Sequence, residues 1–116
     1  MIESLLINRH ILVVEDEFLI AWALQDNLKL CGAHVIGPAA SVEDALGLLE
    51  HERIDGAILD VSLGRDKVYP VAAALTARNI PFVFATGYSD LPLIWQHVRR
   101  FEKPVNVAPT ALALFG

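Results

Sequence analysis

Five polar side chains end or directly follow short apolar runs of the sequence: Glu15, Asp16, Asp60, Thr86 and Lys103. If folding brings the three carboxylates together, they repel one another until a proton or a cation neutralises them. A hard divalent ion held by carboxylate and carbonyl oxygens meets that need, and Mg²⁺ is the abundant one. Lys103 would add a positive charge and Thr86 a hydroxyl donor. Such a set suits phosphoryl transfer, which depends mainly on positioning and on charge neutralisation.

The apolar runs alternate with amphipathic stretches, and this alternation predicts the elements that position the five groups. The runs predict five strands, at residues 11–14, 34–37, 56–59, 81–85 and 100–102. The stretches between them predict five helices, at residues 18–31, 41–49, 70–77, 91–98 and 105–115. Repeated strand–helix units argue for an α/β fold, an open parallel sheet with helices on both faces. Ligands of such sheets bind beyond the carboxyl ends of the strands, which is where the polar residues fall.

Several local patterns complete this prediction. The apolar spacing of the first helix predicts one buried stripe, formed by Phe18, Ala21, Leu24, Leu28 and Cys31. The polar segment 61–69 predicts an exposed loop, and Ser89 with Asp90 is the predicted cap of the helix at 91–98. Glu17 is expected to act on the dipole of the first helix rather than among the clustered acids. We expect the N-terminal residues 1–9 to form a mobile tail, and a short docking helix is the alternative.

Length, composition and charge limit the classes of protein to which the chain can belong. With 116 residues and 12.7 kDa, we expect a single domain over 1–116, with 1–9 as a leader and no output domain. The net charge of -5 disfavours a nucleic-acid partner, and one cysteine cannot form an internal disulfide. No apolar run approaches the ~20 residues that span a bilayer, and the N-terminus carries no secretion signal. We therefore expect no membrane partner and a cytoplasmic location.

Four segments of the chain resemble the receiver domain of two-component response regulators, and the resemblance extends from His10 to Phe115. The segments are Ile11-Leu12-Val13-Val14-Glu15-Asp16-Glu17, Ala57-Ile58-Leu59-Asp60, Phe84-Ala85-Thr86-Gly87-Tyr88 and Glu102-Lys103-Pro104. The resemblance implies a flavodoxin-like (βα)5 sandwich with its parallel strands in the order 2-1-3-4-5. The third segment also resembles a subgroup of receivers with a Phe-Ala-Thr-Gly-Tyr motif. We expect a stand-alone receiver of that kind.

The resemblance implies a role for each acidic residue. Asp60 would be the phosphoacceptor, which attacks a phosphohistidine of a histidine kinase or a histidine phosphotransferase. Asp16 and Asp60 would bind Mg²⁺ directly, and Glu15 would bind it largely through a water. The backbone carbonyl of Ser62 would complete the protein ligands.

It also implies roles for the groups that would surround the phosphoryl group. Lys103 would pair with it, and Thr86 would turn inward to bond it. The Lys103–Pro104 peptide would be cis, which helps to aim the lysine. Many receivers carry an aromatic residue three positions before this lysine, but Arg100 stands there in this chain. The Phe-Ala-Thr-Gly-Tyr subgroup also lacks that aromatic residue.

The implied function is a phosphorylation-dependent switch of protein–protein interaction in two-component signal transduction, acting on an unknown downstream protein. Such a protein is not an enzyme, apart from catalysing its own phosphorylation and dephosphorylation. Three alternatives remain: a receiver cut from a hybrid histidine kinase or larger regulator, a receiver-like module that works without phosphate, and an aspartyl-phosphate hydrolase of the haloacid dehalogenase type. Such hydrolases place an acid two residues beyond the nucleophile, where this chain has Ser62.

The apolar side chains of 91–98 and 105–115 favour two interpretations. Core packing explains some of them. A homodimer surface through the fourth helix, the fifth strand and the fifth helix is the other interpretation, with Arg99 and Arg100 at its edge.

Overall fold

Seven strands and four helices make up the protein, which a computed structural model describes at residues 1–86 and 91–116. In chain order the strands are β1 (His10–Val14), β2 (His34–Ala39), β3 (Gly56–Asp60), β4 (Ser62–Leu63), β5 (Asp66–Lys67), β6 (Phe82–Ala85) and β7 (Arg100–Phe101). The helices are α1 (Phe18–Leu30), α2 (Val42–His51), α3 (Tyr69–Ala77) and α4 (Val107–Phe115). Within the described ranges, no helix is long and apolar enough to cross a membrane.

Five parallel strands form the main sheet in the order β2-β1-β3-β6-β7. This is the predicted order 2-1-3-4-5 once the small hairpin of β4 and β5 is set aside, so the predicted fold is confirmed. Val14 pairs with Leu59, and Asp60 pairs with Ala85. That register brings the ends of β1, β3 and β6 to the same edge of the sheet.

The sheet divides the core into two apolar clusters. Because side chains alternate across a strand, Leu12 and Val14 face one cluster while Ile11 and Val13 face the other. Helices α2 and α3 cover the first face, and α1 and α4 cover the second. All five residues of β3 are buried, as expected of a central strand that is covered on both faces.

The helices begin and end largely where the sequence predicts. The Ser41 hydroxyl caps α2 by accepting a hydrogen bond from the Asp44 N–H, 3.1 Å away. Of the predicted stripe of α1, Ala21, Leu24 and Leu28 are buried, but the Phe18 side chain is 77% exposed. Its predicted place in the core was wrong, because Phe18 is the first residue of the helix and its side chain lies in solvent.

The predicted helix at 91–98 was also wrong. The structure has one 3-10 turn there, Leu93–Trp95, and its predicted cap, Ser89 with Asp90, lies outside the described residues. Pro92 precedes the turn with an extended ψ of 149°, and a proline also disfavours the helical conformation of the residue before it. The Trp95 ring packs 6.1 to 6.4 Å from the rings of three aromatic residues, Tyr69, Phe82 and Phe84. Tertiary packing of this tryptophan thus overrides the local helical pattern.

The segment predicted as an exposed loop contains an antiparallel hairpin, β4 paired with β5. Val61, Leu63 and Val68 are buried, which anchors the hairpin on the first core cluster. Gly64 turns the chain with a φ of +62°, a conformation that glycine adopts without strain.

The N-terminal residues form a docked 3-10 helix, Ile2–Leu6, rather than the expected mobile tail. Leu6 is completely buried in the second core cluster, beside residues of α4. The Arg9 guanidinium lies 4.3 Å from the centre of the Phe115 ring. Burial of one leucine and this cation–π contact hold the segment on the domain.

Candidate functional site

The predicted site residues meet at the carboxyl edge of the main sheet. Glu15 and Asp16 directly follow β1, Asp60 is the last residue of β3, and Thr86 directly follows β6. Glu15, Asp60 and Thr86 are buried, whereas Asp16 is exposed to solvent. Burial follows from the strands, since each of these residues continues a strand that is covered by helices.

The three carboxylates lie close to one another. One ligand oxygen from each of Glu15, Asp16 and Asp60 falls within 4.8 Å of the others. Each carboxylate also accepts one backbone hydrogen bond: Glu15 from Glu17 at 3.0 Å, Asp60 from Ser62 at 3.3 Å and Asp16 from Gly64 at 3.0 Å. These N–H groups fix the orientation of the acids and favour their charged forms.

Lys103 supplies the positive charge of the site. Its Nζ lies 3.1 Å from Glu15 Oε1, 3.1 Å from Asp60 Oδ2 and 3.6 Å from Glu17 Oε1. The Lys103–Pro104 peptide bond is cis, as the resemblance implies. Glu17 therefore does contact the site, contrary to the expectation that it acts only on the helix dipole. It is the residue that precedes α1, and its side chain turns toward the lysine.

Burial and the neighbouring charges change the pKa of two groups in the site. Burial raises the pKa of Glu15 to about 7, and the charge of Asp60 adds to this, although hydrogen bonds from Glu17 and Lys103 oppose it. Burial opposes the positive charge of Lys103, but its bonds to Asp60 and Glu15 raise its pKa above the usual value. The lysine therefore stays charged, while Glu15 holds or releases a proton near neutral pH.

The donor set fits a hard divalent cation. All three groups are carboxylates, and their oxygens lie within 4.8 Å of one another, near enough for small side-chain shifts to bring them around one ion with ligand distances of about 2.1 Å. One lysine facing three clustered carboxylates leaves net negative charge at the site. Glu15, Asp16 and Asp60 are thus suited to hold Mg²⁺ or Ca²⁺ rather than a soft transition metal.

A cleft of about 580 Å³ opens over this cluster. It is lined by Asp16, Glu17, Asp60, Ser62, Gly64, Thr86 and Lys103. The backbone N–H of Thr86 donates to Phe101 O at 3.0 Å and so fixes this residue beside β7. In the same strand pair, Arg100 of β7 lies opposite Phe84 of β6. All six predicted site residues therefore contribute to one site.

Sequence reasoning missed two contacts of this site. Gly64 binds Asp16 through its N–H, and Lys67 Nζ donates to Ser62 Oγ at 2.8 Å. Both belong to the β4–β5 hairpin. In the sequence, apolar Val61 and Leu63 alternate with Ser62 and Gly64, which is the period of a strand, but four residues are too few to distinguish a strand from a loop.

Comparison with known proteins gives relatives that match more than nine-tenths of the chain. The BeF3-activated conformation of SdrG from Pseudomonas melonis Fr1 is 42% identical, with a TM-score of 0.80, over 92% of this chain and 96% of that one. A second solution structure of SdrG, from Sphingomonas melonis Fr1, is 41% identical, with a TM-score of 0.79, over 93% of each chain.

Other matches are more distant. The transcriptional regulatory protein PdtaR of Mycobacterium tuberculosis is 30% identical over 89 residues, which are 76% of this chain and 43% of PdtaR. The chain therefore spans less than half the length of that relative. A response regulator protein from Burkholderia pseudomallei, with a phosphorylated aspartic acid, calcium ion and citrate, shares the fold at 24% identity and a TM-score of 0.80, over 92% of this chain and 66% of that one. No model of a protein family matches the chain.

Proposed function

The chain belongs to the receiver-domain family of response regulators, and we propose that it accepts a phosphoryl group on Asp60 from a phosphohistidine. One observation carries this proposal. A buried carboxylate at the end of β3 lies 3.1 Å from an ammonium group and beside two more carboxylates that suit a divalent cation. Charge neutralisation on both sides of a nucleophilic oxygen is what phosphoryl transfer requires.

The proposed reaction is an in-line displacement at phosphorus. An Asp60 oxygen forms the new P–O bond as the P–N bond of the phosphohistidine breaks. The leaving imidazole keeps the electron pair of that bond and takes a proton, so the donor returns to neutral histidine. Lys103, already hydrogen-bonded to Asp60, would then stabilise the added negative charge. Thr86, which lines the same cleft, would offer its hydroxyl to a phosphoryl oxygen.

Mg²⁺ is the proposed metal cofactor. Asp16 and Asp60 would bind it directly, Glu15 mainly through a water, and the Ser62 carbonyl would complete the set. When bound, it would neutralise charge that the carboxylates and the phosphoryl oxygens bring together. The Burkholderia response regulator that shares the fold holds a calcium ion together with a phosphorylated aspartic acid, which supports the proposal of a divalent cation.

A histidine kinase or histidine phosphotransferase is the proposed donor. Near the cleft, the first two turns of α1 expose three large apolar side chains, Phe18, Leu19 and Trp22. Unpartnered apolar groups of this size suit a protein–protein contact, and their closeness to the acids would bring the donor histidine to Asp60.

A second exposed apolar area supports the proposed output surface. Leu93 and Ile94 are 84% and 69% exposed, and Leu112 of α4 is 53% exposed. Leu91 and Trp95 are buried, so core packing explains only part of this region. A homodimer or an unidentified downstream protein would use the face of 91–98, β7 and α4.

A cytoplasmic location stays a prediction.

The family assignment decides between a signalling receiver and a hydrolytic enzyme. As a receiver, the chain is a signalling protein, and its chemistry is limited to its own phosphorylation and dephosphorylation. A dehalogenase-type hydrolase would need an acid at position 62, where Ser62 stands.

Phosphorylation by a small donor tests the proposal without a known kinase. Incubation with acetyl phosphate and Mg²⁺ should add the mass of one phosphoryl group, measured on the intact protein. Asp60→Asn should stay unmodified, and Asp26→Asn, a matched change on the exposed face of α1, should be modified like the wild type. If the wild type stays unmodified while a control receiver is labelled, the proposal is wrong.

A further inference from the structure

The β4–β5 hairpin places a second cation at the mouth of the cleft. Ser62 pairs with Lys67 in the antiparallel register, and residues opposite each other in such a pair project to the same face. Ser62 lines the cleft, and Lys67 Nζ donates to its Oγ at 2.8 Å. The ammonium group therefore lies at the rim of the cleft.

The hairpin is held in place from three sides. Its turn is tied to the acidic cluster by the Gly64 N–H, 3.0 Å from Asp16 Oδ2. Its base is closed by the Val68 N–H, which donates to Val61 O at 2.9 Å, and Leu63 is buried in the core. Lys67 thus extends from a fixed ribbon rather than from a loose loop.

The two lysines differ in what neutralises them. Lys103 Nζ lies within 4.0 Å of three carboxylates, Glu15, Glu17 and Asp60. In the part of the chain that the structure describes, the partner of Lys67 Nζ is an uncharged hydroxyl. Its charge and its remaining N–H donors are therefore available to an anion.

The negative charge of the cleft repels an anionic phosphoryl donor, and a cation at the rim would reduce that repulsion. Four carboxylates, Glu15, Asp16, Glu17 and Asp60, outnumber the charges of Lys103 and one divalent cation, so an approaching phosphoryl group meets net negative charge. Like charges repel strongly in a partly desolvated cleft, and a fixed cation at the rim offsets that repulsion.

We propose that Lys67 is a binding residue for the incoming phosphoryl group, positioned by Ser62 so that its ammonium contacts a phosphoryl oxygen before transfer to Asp60. This inference rests on the proposed phosphoryl transfer. Because Lys67 acts on the arriving anion, its loss weakens donor binding and leaves the maximal rate nearly unchanged.

The test measures the phosphorylation rate against acetyl phosphate concentration at fixed Mg²⁺, by intact mass. For Lys67→Met, the rate at low donor concentration should fall about tenfold, as expected from one lost hydrogen bond to a charged group. Lys67→Arg should keep most of the wild-type rate. Ser62→Ala should give an intermediate loss, because the ammonium loses its anchor.

Two controls separate binding from folding and from net charge. Lys29→Met removes one charge at the far end of α1 and should match the wild type within about twofold. The difference between the wild type and Lys67→Met should shrink as potassium chloride is added, which a folding defect would not produce.

The outcomes distinguish the role of Lys67 from the proposed phosphorylation of Asp60. If the wild type is labelled and Lys67→Met follows the same concentration curve at low salt, the role of Lys67 is wrong while Asp60 phosphorylation stands. A loss confined to the maximal rate would also overturn it. If the wild type is never labelled, the proposed function and the role of Lys67 fail together.

Discussion

Lys103 Nζ lies 3.1 Å from Asp60 Oδ2, although the two residues are 43 positions apart in the chain. The contact joins the loop after β7 to the end of β3, at opposite sides of β6 in the sheet. The contact places the positive charge beside the carboxylate where negative charge would develop on phosphoryl transfer. Such preorganisation is the main way in which a protein lowers the barrier to phosphoryl transfer.

Loss of Lys103 should slow phosphorylation strongly. In Lys103→Met, we expect the rate of labelling by acetyl phosphate to fall at least about tenfold, because a hydrogen bond to a charged group is worth roughly 1.5–3 kcal/mol. Lys103→Arg should recover little, since a planar guanidinium does not reproduce a compact ammonium between carboxylates. Time courses of intact mass would measure this. A wild-type rate in Lys103→Met would mean that the contact has no part in the reaction.

Glu15 should make the metal-free protein less stable as the pH rises. Its folded pKa of about 7 exceeds the ordinary value of 4.5, so the folded state binds the extra proton between these values. Stability should therefore fall from about pH 5 to pH 7 and then level off. Glu15→Gln should remove this fall and raise the free energy of unfolding at pH 8 by on the order of 1–3 kcal/mol.

Urea unfolding with a chelator present would measure that difference. Glu50→Gln, a matched change at an exposed position of α2, should keep the pH dependence of the wild type. If Glu15→Gln and the wild type show the same profile, burial does not raise the pKa of Glu15 and this assignment is wrong.

Asp55 should stabilise the folded protein, and this contribution should be lost at acidic pH. Burial opposes its charge, but the His10 N–H at 2.8 Å and Arg53 at 3.3 Å lower its pKa below the ordinary 3.8. Its contribution should be complete above about pH 4 and be lost as the pH falls through the lowered pKa. Asp55→Asn should cost about 1 kcal/mol at pH 7 and less at about pH 3, in acid unfolding curves. Asp26→Asn should follow the wild type, and an unchanged Asp55→Asn profile would contradict this assignment.

The docked N-terminal segment should contribute to stability. Leu6→Ala should lower the free energy of unfolding by about 2–4 kcal/mol, because the side chain is completely buried between the segment and α4. The matched change Leu30→Ala, at a side chain that is 79% exposed, should alter it by less than about 0.5 kcal/mol. Equal effects of the two substitutions in urea titrations would show that the segment is not docked in solution.

The sequence was informative where buried strands end in polar residues. Asp60 follows four apolar residues of β3, and Glu15 follows the apolar β1, so the strand pattern alone places both acids at one edge. The order of the strands in the sheet is harder to predict from the sequence, because the pairing of strands depends on contacts between distant segments. For that part, the family resemblance was needed.

Errors arose where tertiary contacts outweigh local pattern. Trp95 packs against aromatic residues of α3 and β6, and this contact replaces the helix that residues 91–98 favour locally. Leu6 has no periodic partners in its own segment, so its burial against α4 could not be predicted from the first residues. Lys67 was overlooked because strands of two residues give too short a pattern to be distinguished from a loop.

The position of the phosphoryl group tests the central claim most directly. Protein treated with acetyl phosphate and Mg²⁺ would be reduced with borohydride, which converts an aspartyl phosphate to homoserine, and peptides would be sequenced by mass spectrometry. We predict homoserine at position 60 alone, and none when Mg²⁺ is removed by a chelator. Homoserine at Asp16, or a phosphoryl group on a residue outside the cleft, would contradict the assignment of Asp60 as the phosphoacceptor.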